Sequence, residues 1–177
     1  CPEIARAPGW IRENQDCEFV RMKSRQTYFY AVAYHLTGDP GMLALARDGV
    51  LYLREHALEK ESGSAVSYWR KGVAGPPLPE RTSQDLAYAQ LGMAMYYYLT
   101  RDETVLADIR RLKAHIFECY WKAEWGMLRW AIRDEKGLED KRQELVAQLD
   151  QINAYMLLLA PILPEPHRTQ WKRDLVK

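Results

Sequence analysis

The side chains of this chain that could do chemistry are few, and they follow no familiar catalytic order. Four histidines, His35, His56, His115 and His167, are the residues best suited to taking and returning a proton near neutral pH. His35 lies beside a Thr37-Gly38-Asp39 turn, where it can act either as a proton carrier or as a polar helix-end residue satisfied by nearby carbonyls. His56 and His115 are nearly equivalent in an internal repeat and fall late in two corresponding helices, on what reads as a solvated face. Arg25 is the stronger candidate. A guanidinium offers a fixed fork of donors to two oxygens, and the competing role is an ion pair with the Glu- and Asp-rich loops. Tyr28, Trp69 and Tyr88 present flat faces that could stack on a ring-shaped ligand, as could Trp125, Trp130 and the run Tyr96 to Tyr98. At helical spacing, however, tyrosines are mostly core. No glycine-rich phosphate loop, no Ser-His-Asp order and no carboxylate pair at diagnostic spacing can be picked out. The three cysteines, Cys1, Cys17 and Cys119, form no C-x-x-C motif. Neither a metal nor a cofactor is implied.

The elements that must position these residues are organised around Asp85 to Asp102, DLAYAQLGMAMYYYLTRD. Leu86, Ala89, Met93, Tyr96, Tyr97 and Leu99 recur at a helical step, and Asp102 can cap the helix that follows. The phrase repeats an earlier one. Ala31 to Asp39 lies over Ala94 to Asp102, a step of 102 − 39 = 63 along the chain. A weaker third copy puts Glu165 in the Asp position at the same step, 165 − 102 = 63. A period this long, with two helices per unit, predicts stacked antiparallel helical hairpins. Residues 1–20 read as an irregular lead-in. A helix follows from Arg21 to Leu36 and stops at Gly38, and Asp39-Pro40 starts a second that runs to about Leu58. Residues 59–82, rich in Gly and Pro, form a long loop with a short strand pair around Val66 to Trp69. Beyond the central helix come a helix from Glu103 to Trp121 and a hairpin or turn within Lys122 to Leu138. A helix from Glu139 to about Ala160 is ended by Pro161 and Pro164, and a last helical piece spans His167 to Lys177.

Length and composition set the outer bounds. A chain of 177 residues, 47% hydrophobic and 28% charged, suits a single soluble globular domain spanning residues 1–177. A net charge of +1 argues against a nucleic-acid partner and against membrane-surface attraction. The longest apolar stretch, Ile152 to Leu163, is interrupted by Asn153 and Pro161 and is too short for a bilayer. No signal-peptide pattern opens the chain, and an odd cysteine count weighs against a disulfide framework, so the cytoplasm is the expected location. A start on Cys1 instead of Met suggests a processed or trimmed product and leaves a removed leader open.

Arg25-Gln26-Thr27-Tyr28-Phe29-Tyr30-Ala31, Thr37-Gly38-Asp39, Tyr88-Ala89-Gln90 and Leu99-Thr100-Arg101-Asp102 together resemble the first half of the N-acylglucosamine 2-epimerase family. The resemblance covers about residues 20–160. It implies an all-α fold, an α/α toroid of the (α/α)6-barrel type, present here in part as about three helical hairpins. It also implies a sugar 2-epimerase or aldose–ketose isomerase that transfers a proton next to the sugar carbonyl. The family's inward arginine falls on Arg25, its Y-x-[HQ] pattern on Tyr88 and Gln90, and its N-x-x-M-H-x-x-E-A pattern on Asn153 and Met156. The sugar-binding set implied is Arg25, Gln26, Tyr28, Trp69, Tyr88, Gln90 and Asn153, with no catalytic residue assigned. The departures are Leu157 at the family's histidine position and Ala160 at its glutamate. They keep a second reading open, a non-catalytic carbohydrate-binding or interaction module on the same scaffold. With three hairpins of six, the chain is expected either to be part of a larger barrel, with a C-terminal half elsewhere, or to close its edge as a homodimer.

Overall fold

The computed structural model of the chain describes residues 17–71, 73–74 and 81–176. Four long helices pair into two hairpins. Helices α1 (Val20–Thr37) and α2 (Pro40–His56) form the first, and α3 (Ser83–Thr100) and α4 (Glu103–Tyr120) the second. A third unit contains α5 (Leu145–Gln151), a π-helical turn (Ile152–Met156) and α6 (Leu157–Leu159), which run on as one helical rod over residues 145–159. It ends with α7 (His167–Leu175).

The turns inside the hairpins follow directly from residue type. Gly38 takes φ 70° and its N–H closes onto the Tyr34 carbonyl, a left-handed conformation that glycine adopts without strain. Asp39 then accepts from the Gly41 N–H at 2.8 Å with Pro40 in the first helical position, so one phrase ends a helix and starts the next. In the second hairpin Arg101 takes the left-handed position at φ 57°, and Asp102 caps α4 by accepting from the Thr104 N–H at 2.9 Å. In the third unit Glu165, one repeat step after Asp102, accepts from the Thr169 N–H in the first turn of α7 at 3.2 Å. The three acids of the sequence repeat thus do the same kind of work.

Helices α1 and α3 lie side by side, parallel and in register. Arg25 sits over the ring of Tyr88, and His35 meets Tyr98. Both pairs are separated by the repeat step itself, 88 − 25 = 98 − 35 = 63. Gly92 lets the two helices come this close. Its N–H donates to Ser24 Oγ at 2.9 Å, Ser24 Oγ donates to the Ala89 carbonyl at 3.2 Å, and a Cβ on Gly92 would stand 2.6 Å from the Ser24 carbonyl oxygen. The α5–π–α6 rod packs on the other flank of α3, while α2 backs α1 and α4 backs α3. Helix α3 is therefore the centre of the core, burying residues from Ser83 to Tyr97 on nearly every side. The inner row is α1, α3 and α5–α6, and the outer row is α2, α4 and α7, an arc of an α/α toroid.

The long connections carry small sheets. Strand β1 (Cys17–Phe19) pairs antiparallel with β2 (Tyr68–Arg70), which pairs with β3 (Val73–Ala74). Residues 17–19 are thus a strand and Val20 already opens α1, not an irregular lead-in; residues 1–16 of that expected lead-in lie outside the described residues. Strands β4 (Trp121–Lys122) and β5 (Met127–Leu128) make the hairpin expected after α4. The third rod starts at Leu145, later than the Glu139 read from the sequence. The reason is local. Asp140 is held by a bidentate pair with Arg142, and the backbone of Glu139 forms an antiparallel β-bridge with Arg133, so residues 139–142 are committed to a loop. Helix α2 ends at His56, a little before the expected Leu58, because the Trp69 indole N–H takes the His56 carbonyl at 2.9 Å. Among the described residues no helix is long and apolar enough to cross a membrane.

Candidate functional site

The least covered stripe of each inner helix falls on one common surface. On α1 it runs through Arg21, Arg25, Phe29 and Leu36, on α3 through Gln84, Tyr88, Leu91 and Tyr98, and on the third rod through Val146, Leu149, Asp150, Asn153 and Leu157. Steps of three and four along each helix keep these positions on one face. Because the three helices are parallel, residues near their N-terminal ends meet.

They meet in a short polar chain. The Arg25 guanidinium carbon lies 4.3 Å from the centroid of the Tyr88 ring, a cation–π contact. The Tyr88 hydroxyl donates to Asp150 Oδ1 at 3.5 Å, and the Gln84 amide donates to Asp150 Oδ2 at 2.6 Å. Arg25 also leans on the Met22 sulfur at 3.7 Å. It has no carboxylate partner among the described ion pairs, so the ion-pair role weighed against it finds no support here. One face of an aromatic ring is covered by a cation, its hydroxyl is tied to an acid, and the assembly is open to solvent on the Arg25 side. Such an arrangement can offer hydrogen-bond donors and an acceptor to a polyhydroxylated ligand.

The other residues singled out in the sequence divide. Gln26 is half-buried and donates to the Tyr30 hydroxyl at 3.1 Å, and Tyr28 is half-buried at the edge of the core. Asn153 is exposed on the same stripe as Asp150. Trp69 and Gln90 do not reach that surface. Trp69 is 2% exposed, with its edge against Tyr52 and its N–H on the His56 carbonyl, and it works as a core residue tying the long loop to α2. Gln90 is fully buried and lies in the seam between α3 and the third rod. There a polar chain runs from the Ser83 carbonyl through Gln151 (2.8 Å) to Tyr155, whose hydroxyl donates to Gln151 Oε1 at 2.9 Å. Burial pushes the Tyr155 phenol far above its ordinary range, against an opposing hydrogen bond from Gln90. This seam fixes how the third rod sits on α3 and so where Asp150 stands.

None of the histidines joins the Arg25–Tyr88–Asp150 chain among the described contacts. His35 is exposed with its ring edge on Tyr98, and His56 is exposed against Tyr52. His115 is half-buried, 3.8 Å from the Cys119 sulfur. Leu157 is 55% exposed and Ala160 is buried. A cavity of about 150 Å³ lies elsewhere, walled by Phe117, Trp121, Met127, Leu128, Ile152 and Met156, and none of the site residues lines it. Sequence reasoning missed Gln84 and Asp150. The signal available was the repeat itself, obscured by the π turn at Ile152–Met156.

The family model described as N-acylglucosamine 2-epimerase (GlcNAc 2-epimerase) matches residues 5–160. Among curated proteins none matches the chain significantly by sequence. Solved structures with the same fold include a sugar epimerase from a ruminal bacterium (TM-score 0.75, 21% identity), covering 94% of this chain and 44% of that one. Cellobiose 2-epimerase from Bacillus thermoamylovorans B4167 is similar over 94% of this chain and 44% of its own (TM-score 0.76, 16% identity). A D-mannose isomerase is similar over 94% and 43% (TM-score 0.75, 16% identity). The chain spans less than half the length of these proteins.

Proposed function

Because this chain belongs to the N-acylglucosamine 2-epimerase family, we propose that it forms the sugar-binding N-terminal half of an epimerase or aldose–ketose isomerase ring. The observation that carries this reading is the open Arg25–Tyr88 pair on the shared face of the inner helices. Proton transfer next to a sugar carbonyl makes an enediolate, whose oxygen gains negative charge as the carbon-bound proton leaves. Arg25 is placed to hold that oxygen and its neighbour in a fixed fork, which the single ammonium of a lysine cannot copy. Tyr88 supplies a ring face and Asn153 a further polar contact from the third rod. The proton carrier itself is expected from outside the polar chain, since Leu157 stands on this surface where the family pattern has a histidine.

Away from that shared face, apolar side chains also stay uncovered: Leu45 and Leu51 on the first hairpin and Leu145 at the start of the third rod. Uncovered patches of this kind usually mark an interface. We propose that further hairpins of the same ring, or a second copy of the chain, cover them. Sedimentation showing a stable monomer at micromolar concentration would count against the second copy.

Calorimetry tests the sugar reading, with N-acylhexosamines, mannose and cello-oligosaccharides as ligands. Removing one charged hydrogen-bond partner costs on the order of 1.5–3 kcal/mol, so Arg25→Lys should weaken binding by roughly tenfold to a hundredfold with an unchanged circular dichroism spectrum. Binding that Arg25→Lys leaves untouched would refute the role of Arg25.

A further inference from the structure

We infer that Asp150 is a sugar-hydroxyl-binding residue of this site and selects neutral sugars over anionic ones, an assignment that rests on the sugar-binding reading above. Its position follows from the repeat. Arg25 and Tyr88 are equivalent at the repeat step, and the same step from Tyr88 leads to Gln151. Gln151, however, is 2% exposed and occupied inside the seam with Ser83 and Tyr155. The π turn at Ile152–Met156 explains the slip. A π turn takes in one residue more than an α turn, so the step that holds beyond it is shorter by one before it. The residue that meets Tyr88 is therefore Asp150, at 150 − 88 = 62. The third hairpin contributes an acid where the first contributes Arg25 and the second Tyr88, and π turns inside α-helices are frequent at functional sites.

The surroundings of Asp150 favour ligand binding over a structural ion pair. It is half-buried and has no Lys or Arg partner among the described salt bridges. Two neutral donors, Tyr88 and Gln84, occupy one site on each oxygen. An ionised carboxylate has about four acceptor sites, which leaves capacity for two hydroxyl donors. With Arg25 over the ring and Asp150 at the hydroxyl end, Tyr88 is a platform with a cationic donor at one side and an anionic acceptor at the other. Vicinal hydroxyls of a neutral hexose satisfy both. A uronate or phosphate on the Asp150 side would meet like charge.

The test uses the full chain and calorimetry with mannose, cellobiose, glucuronate and single-deoxy analogues of the hexose that binds best. Asp150→Asn should weaken the neutral sugars about tenfold to a hundredfold and narrow their preference over glucuronate. One single-deoxy analogue should lose about tenfold on the unmodified chain but little on Asp150→Asn, a coupling that a purely structural role would not produce. If Arg25→Lys weakens binding and Asp150→Asn does not, this inference is overturned and the sugar reading stands. If the unmodified chain binds none of the neutral sugars, both fall. Should Asp150→Asn fail to fold, the deoxy panel on the unmodified chain and on Asp150→Glu decides. Equal binding of every deoxy analogue overturns the inference, and a single sensitive position that shifts in Asp150→Glu supports it.

Discussion

Replacing Gly92 by alanine would test the join on which the site depends. The added Cβ would meet the Ser24 carbonyl oxygen at 2.6 Å, the Thr27 Cβ at 2.7 Å and its Cγ2 at 3.0 Å. Two of these three atoms cannot retreat by a rotamer change, because one is backbone and the other is a Cβ, so α1 itself must move outward. Overpacking of this kind costs about 1–3 kcal/mol, and weakening the Gly92–Ser24 hydrogen bond adds about 1 kcal/mol. Against this, alanine favours a helix over glycine by about 1 kcal/mol. The balance is a net loss of about 1–3 kcal/mol, read as a fall of roughly 3–10 °C in melting temperature. Urea unfolding followed by circular dichroism, at unchanged slope, would give the free energy. Sugar affinity should fall with it, because Arg25 follows Ser24 directly and would be carried away from Tyr88. A Gly92→Ala protein as stable as the parent, or more stable by the helix-propensity gain, would show that α1 and α3 do not approach this closely.

Other expectations can be checked in the same assays. Asp102→Ala should cost about 0.5–2 kcal/mol, since it removes the cap of α4. The Thr104 hydroxyl and backbone N–H hold the Asp102 carboxyl below its ordinary value of 3.8. That contribution is therefore present above this value and lost as the pH falls through the lower, folded one, so parent and variant should converge in strong acid. Asp174→Asn removes the carboxylate that the buried Lys113 holds at 2.5 Å; weakening such a pair costs up to about 3–5 kcal/mol, and hydrogen exchange should show α7 opening first. Trp69→Phe should lose about 1 kcal/mol with its bond to the His56 carbonyl while sugar affinity stays unchanged, because Trp69 belongs to the core.

The hairpin turns were legible in the sequence because they depend on neighbours in the chain. Gly38, Asp39-Pro40 and Asp102 each do locally what their residue types predict, and the repeat step set the register of α1 on α3. Residues whose role depends on packing were harder to place. Trp69 and Gln90 have the right chemistry for a sugar site, but strand pairing with β1 and the seam with Tyr155 draw them inside. Asp140 and Arg142 hold each other across a single turn and delay the third rod, a contact that helical periodicity does not register. Asp150 stayed hidden for a subtler reason: one extra residue in a π turn leaves a repeat recognisable by eye and still moves its inward position from a glutamine to an aspartate.

The two ends of the arc differ in how much change they can absorb. At one end the hairpins close through the tight turns Gly38-Asp39 and Arg101-Asp102, in which every position is a cap or a left-handed residue. An insertion there would break two helix ends at once. At the other end the connections are long: positions 57–82 join α2 to α3, and positions 121–144 join α4 to the third rod. Arg25, Tyr88 and Asp150 all lie within the first two turns of their helices, at this second end. Such an arrangement separates inheritance from adaptation. The short-turn end preserves the frame, while the exposed parts of the long connections, away from buried Trp69 and Leu128, can lengthen or shorten beside the proposed sugar face with less effect on how the helices stack. For an engineer it means that specificity can be rebuilt from one side of the molecule, with the opposite side left alone as the chassis.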